Sequence, residues 1–155
     1  MEKEITIERT FNAPIHRVWN AWLDCNQLKE WWGPNGVTNP ICEVDPQVGG
    51  ALYIVMLAGP ELGPLAGERW PMMGIFSELK EPTTIAFSNN AIAEDSTLLL
   101  EGETKVSLTA VGDKTKMTLV TRAVGLVPQA AQMLAGMEAG WTQSIGKLEK
   151  YLSRQ

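Results

Sequence analysis

A chain of 155 residues with 45% apolar content has the size and composition of one globular domain able to bury a sizeable core. Its formal charge of −5, with no cluster of Lys and Arg, excludes the basic surface that binding to nucleic-acid phosphates requires. Two cysteines, Cys25 and Cys42, and one histidine, His16, do not make the Cys/His sets that hold zinc, so neither a metal nor another cofactor is expected.

Residues 4 to 11 alternate, with Ile5, Ile7 and Phe11 on one face and Thr6, Glu8 and Thr10 on the other, which predicts a half-buried strand. Arg9 falls on the apolar side and must reach a rim or a partner carboxylate. Pro14 suits the first position of a helix, where its missing N–H costs nothing. Ile15, Val18, Trp19, Trp22 and Leu23 then make one apolar helical face. A short second helix is expected from about Asn26 to Trp32, stopped by Gly33-Pro34.

Strands follow. Val37 to Val44 leads to a turn at Asp45–Gly49, and residues 51 to 58 are apolar on both faces, which predicts a central strand covered on each side. The Gly- and Pro-rich stretch from 59 to 69 is a loop. Further strands are expected at about 71–80, 84–90, 102–111 and 115–124, with a Gly112-Asp113 hairpin turn between the last two. From 129 to 153, Met133, Met137, Trp141, Ile145 (or Ser144), Leu148 and Leu152 recur at intervals of three and four, the spacing of one long amphipathic helix. With no repeat, linker or low-complexity segment, residues 1–155 form a single α+β domain with helices packed on one face of a curved sheet.

The chain has no charged-then-apolar leader pattern and no apolar run of membrane-spanning length, so a cytoplasmic protein without membrane insertion is expected. Catalytic constellations are absent from the pattern. His16 lies among Arg17 and Asn20 on the polar side of the first helix, and neither cysteine has the basic neighbours that activate a thiol. Gly136 and Gly140 share one helical stripe with Met133, Met137 and Trp141. Two glycines inside a helix, each costing about 1 kcal/mol relative to alanine, imply close packing on the sheet or space for a ligand.

Five short motifs occur in order: Ala13-Pro14 before Val18-Trp19; Trp31-Trp32-Gly33-Pro34; Asp45 before Gly49-Gly50; Gly74 before Glu78 and Pro82; and Gly140-Trp141 before Leu148 and Tyr151-Leu152. Together they resemble the START-like (SRPBCC, Bet v 1-like) domains of the family of homologues of the activator of heat-shock protein 90 ATPase. The Asp45 turn departs from the family in carrying Pro46-Gln47-Val48 where a basic residue and a proline are common.

The resemblance implies a helix-grip fold, a curved antiparallel sheet around a long C-terminal helix with two short helices closing one end. It also implies an internal apolar cavity between that helix and the sheet, taking a small hydrophobic or amphipathic molecule. Strand alternation and the helix stripe place Leu52, Ile54, Met56, Phe76, Phe87, Leu108, Leu119, Met133, Met137 and Trp141 around it, with Trp32 and Gly140 at its edge and Glu78 and Asn89 as polar anchors. A non-catalytic binding domain is favoured. The alternatives are a cyclase- or hydrolase-like enzyme using Glu78 and Asn89, and a co-chaperone-like regulator of heat-shock protein 90, which would make a chaperone a partner. The sequence leaves a homodimer open.

Overall fold

The computed structural model describes residues 1–154. In chain order the elements are β1 (Glu2–Phe11), α1 (Ile15–Leu23), α2 (Cys25–Trp31), β2 (Val37–Val44), β3 (Ala51–Ala58), β4 (Arg69–Lys80), β5 (Thr84–Ser88), β6 (Asn90–Ile92), β7 (Leu98–Val111), β8 (Lys114–Gly125), α3 (Ala130–Ala135) and α4 (Met137–Leu152). A short 3-10 turn, Pro60–Leu65, sits in the loop between β3 and β4. The strands form one antiparallel sheet in the order β1-β8-β7-β5-β4-β3-β2, with β6 bridging β4 and β7. This is the helix-grip arrangement.

Alternation decides which face each strand buries. On β1, Ile5 and Phe11 are buried, and Arg9, on the same parity, reaches α4 and pairs with Glu149 at 2.8 Å. Pro14 lies one position before the helix, at the N-cap of α1, in extended conformation. Asp24 caps α2 by accepting from the Asn26 N–H, and α2 ends at Trp31, two residues before Gly33 turns the chain at φ +91°. The exposed carbonyls at the end of α4 are met by Arg17 of α1. Its Nη2 donates to the carbonyls of Tyr151, Leu152 and Arg154 at 3.2, 3.3 and 3.0 Å, satisfying acceptors that a helix end otherwise leaves to water.

The main core lies between the concave face and α1, α2 and α4. Phe11, Val18, Trp31, Leu28, Ile54, Phe76, Ile85, Met117, Leu119, Ile145 and Leu148 are buried in it. The C-terminal half of α4 is clasped to the segment after α2. Ser144 donates its hydroxyl to the Trp31 carbonyl and accepts from the Gly33 N–H, both at 3.1 Å. Gln143 accepts from the Asn35 N–H at 2.9 Å, and Lys147 donates to the Pro34 carbonyl at 3.1 Å.

Three sequence expectations are corrected. The predicted single helix over 129–153 is two helices that meet at Gly136, which ends α3 and begins α4 at φ −90°, ψ −2°. The spacing of three and four continues across the break because the backbone stays near helical there. The strand predicted at 84–90 divides into β5 and β6, since β4 pairs first with β5 and then, beyond a bend, with β6. Finally, β3 is not central. It lies one strand from the edge, and its outward residues are half-buried at Tyr53 and Leu57, while Met73 and Ile75 on β4 are exposed in the adjoining rows. Only Val55 is sequestered on that face, where Ile41 and Pro71 flank it in register. The two-sided apolar pattern therefore makes a surface strip rather than a second packed layer.

Candidate functional site

Neighbouring strands β7 and β8 set the floor of the concave face in paired rows. Leu108 lies opposite Met117, Val106 opposite Leu119, Thr104 opposite Thr121, and Gly102 opposite Ala123. The first two rows belong to the main core. At the other end, Leu100, Ala123 and Leu134 form a second apolar cluster beneath α3, with Ala91, Leu99 and Met137 packed on it. Between the two clusters lies a polar row.

That row is hydrogen-bonded internally. Thr104 and Thr121, 2% and 0% exposed, have hydroxyl oxygens 2.8 Å apart, and the Thr104 hydroxyl donates to Asn89 Oδ1 at 2.8 Å. Since Thr104 has one hydroxyl proton and spends it on Asn89, Thr121 donates to Thr104. The chain thus runs Thr121 to Thr104 to Asn89. A buried hydroxyl without a partner costs about 1–3 kcal/mol, so this chain is what lets the floor carry polar groups at all.

Over the floor, the two halves of α4 differ. Ser144, Ile145, Leu148 and Leu152 are buried, whereas in the N-terminal half Met137, Gly140 and Trp141 are only half-buried. A Cβ added at Gly140 would meet nothing within 4 Å. Trp141 is held edge-on to Trp32, with centroids 5.4 Å apart and planes at 78°. Trp32 in turn lies 6.3 Å from Phe87, which lies 6.2 Å from Phe76. Burial pushes the Lys147 ammonium below its usual range, with the Glu61 carboxylate opposing the shift.

A cleft of about 350 Å³ opens at the α3 end. Trp70, Pro71, Ala91, Ile92, Leu99 and Met133 form its walls, with Glu68, Arg69, Ala93 and Glu94 completing the lining. Because Ala91 and Leu99 also pack on the second cluster, the inner wall of the cleft is continuous with the concave face under the start of α4. A larger cleft, about 520 Å³, lies elsewhere, between α1, the β2–β3 turn and the β4–β5 turn. Trp19, Leu23, Val48 and Leu79 line it alongside Asn20, Asp24, Pro46, Gln47 and Glu81, and neither α4 nor the polar row contributes.

The structure distributes the predicted site residues as follows. Leu52, Ile54, Phe76, Phe87, Leu108 and Leu119 are buried in the main core, and Trp32 is 6% exposed and packed among rings rather than at a rim. Met56 is half-buried against that core. Met137, Gly140 and Trp141 lie over the concave face, and Asn89 joins the polar row. Met133 sits on α3, 38% exposed, and alone among the predicted residues lines the apolar cleft.

Glu78 is a correction. A bulge between Phe76 and Glu78 shifts the parity of β4, so Glu78 shares a row with Ala86 and Lys105 and pairs on the outer face with Lys80 and Lys105 at 3.3 and 3.8 Å. Thr104 and Thr121 were not singled out from sequence. Their signal was their place in the same alternation as Val106, Leu108 and Leu119, since a polar residue at core parity needs a partner.

This architecture defines a START-like helix-grip domain. A sequence model of the family described as "Activator of Hsp90 ATPase homolog 1-like protein" matches residues 12–153, and the chain belongs to that family. Among solved structures it is similar to a protein from Chromobacterium violaceum (24% identity, 98% of each chain covered, TM-score 0.82) and to one from Arthrobacter aurescens (25% identity, 98% of this chain and 87% of that one, TM-score 0.82). It is also similar to the AHSA1 protein of Silicibacter pomeroyi (23% identity, 97% and 98% covered, TM-score 0.76). None of the curated proteins matches. Among the described residues, no helix is long and apolar enough to cross a membrane.

Proposed function

We propose that the protein binds a small hydrophobic or amphipathic molecule at the α3 end of the grip, between the sheet and the N-terminal half of α4. The observation that carries this reading is the apolar cleft walled by Trp70, Ile92, Leu99 and Met133, which is continuous with the concave face. Its volume is at the lower end of the range for small-molecule sites, and mostly apolar walls with a few polar groups suit such a ligand. Trp141 and Met137, half-buried beyond it, extend the apolar path inward. The Thr121–Thr104–Asn89 chain offers a polar end point for a ligand head group. Catalysis is the weaker reading, because the acid/base pair it would use is split: Asn89 joins the inner polar row and Glu78 is ion-paired on the outer face.

Thermal shift against fatty acids, aromatic polyketides and isoprenoids tests the proposal. A ligand at a hundred times its Kd adds about 2.7 kcal/mol, which corresponds to a rise of about 5–10 °C for a domain of this size. Ala91→Phe, which fills the cleft wall, should abolish the rise and leave cooperative unfolding intact. A rise of the same size in Ala91→Phe, or none with any of the three ligand classes, would contradict it.

A further inference from the structure

The chain has only two cysteines, 17 residues apart in sequence, one on α2 and one on β2, and the fold packs these two elements against each other. Asn39 on β2 fixes the alignment. Its side-chain amide donates to the carbonyls of Lys29 and Trp32, both at 3.0 Å, and so pins the early part of β2 to the end of α2. From that anchor β2 runs back along the helix. Cys42 is three residues on, about 10 Å along a strand. Cys25 is four residues before Lys29 and seven before Trp32, about 6–10 Å along a helix. Cys42 is in register with Ile54, which is buried on the concave face, so its side chain points toward α2. Cys25 lies one helical turn before the buried Leu28, on the face of α2 that meets the sheet, so the two half-exposed thiols sit on facing surfaces of α2 and β2.

We propose that Cys25 and Cys42 form a redox-modifiable dithiol that a hydroperoxide closes to an intramolecular disulfide, stapling α2 to β2. This goes beyond the ligand-binding reading and does not depend on it. The two sulfurs have different roles. Burial, reinforced by the neighbouring Cys25, pushes the Cys42 thiol above its usual range, so Cys42 stays protonated at neutral pH. That shift slows attack by Cys42 itself on a hydroperoxide, so the first attack falls to Cys25. Its sulfur takes the terminal oxygen of the hydroperoxide, the O–O bond breaks, and the alkoxide leaves and is protonated to the alcohol. Cys25 is then a sulfenic acid. The Cys42 thiol passes its proton to the sulfenic oxygen as its sulfur attacks Cys25, the S–S bond forms, the S–O bond breaks, and the oxygen leaves as water. In sum, two thiols and one hydroperoxide give one disulfide, one alcohol and one water.

The test is hydrogen peroxide treatment of the full chain at neutral pH, followed by thiol alkylation and intact-mass analysis. The expected product is a monomer that has lost two hydrogens and gained no oxygen, with both thiols lost together and restored by dithiothreitol. Closing the loop should raise Tm by about 5–10 °C. Closure should be at least about tenfold faster in the folded protein than in denaturant, because unfolding disperses the pair. In Cys42→Ser, and in Cys42→Ala as a second variant, Cys25 should stop at a sulfenic acid that dimedone traps. Oxygen adducts on Cys25 with Cys42 still free, a disulfide formed only between chains, or equal closure rates in folded and unfolded protein would each overturn the proposal.

Discussion

Trp31→Ala is expected to destabilise the protein by about 3–5 kcal/mol, the upper range for large-to-small core changes. The side chain is fully buried and its indole N–H donates to the Ala21 carbonyl at 3.1 Å. It also fixes two other rings. Trp22 stands edge-on to it with centroids 4.7 Å apart, and Trp32 lies 6.1 Å away. Truncation leaves a cavity at the junction of α1 and α2 and an unmet carbonyl inside it, and those costs add. A loss of this size is a large fraction of the stability of an ordinary domain. Chemical denaturation monitored by circular dichroism gives the number, and a loss under about 1 kcal/mol would mean that α1 and α2 close over the gap.

Gly74→Ala is expected to cost about 3 kcal/mol or more, from overpacking rather than loss of contacts. A Cβ at Gly74 would run into the backbone carbonyl of Ser88, where the chain leaves β5 for β6. No side-chain rotation relieves that contact, so β4 must part from the bend. Gly102 approaches the same corner from β7, with a Cβ there 2.7 Å from the Asn89 carbonyl. Gly140→Ala is the matched control. Its Cβ meets nothing within 4 Å, so the change should stabilise by about 0.5–1 kcal/mol through helix propensity. Equal effects at the two positions, measured by denaturation, would show that the β5–β6 bend is soft.

These two residues also show what can be read from the chain alone. Trp31 belongs to a motif whose order and spacing point to the fold, and alternation assigned the buried faces of β1, β7 and β8 correctly because period two leaves little freedom once one residue is placed. Where the period breaks, the reading failed. The bulge after Phe76 moved Glu78 to the outer face, and nothing in the local sequence marks it. Gly136 interrupts the last helix while the apolar spacing runs through it.

The site was less legible than the fold for a related reason. Its floor depends on Thr104 meeting Thr121 across two strands and on Asn89 arriving from β5's end, and such a row exists only once the register is known. The cleft is assembled from the first residues of β4, from β6, from the start of β7 and from α3, which no sequence motif joins. Trp70, next to the Gly- and Pro-rich loop, gave no periodic signal of its role.

Tryptophan placement offers the most direct test of the central claim, that a ligand binds at the α3 end of the grip. The chain has six tryptophans, and the two clefts each hold a different one: Trp70 in the apolar cleft, Trp19 in the larger cleft. Trp141 lies half-buried against the main core, one turn along α4 from Met137, which packs on the cluster beside the cleft. A titration with a ligand that raises Tm, followed through the indole N–H signals in a 15N-labelled sample, reports which of them it meets. The expected result is saturable movement of the Trp70 and Trp141 signals while those of Trp19 and Trp31 stay fixed. Movement of Trp19 with Trp70 and Trp141 unchanged would place the ligand in the other cleft and contradict the account.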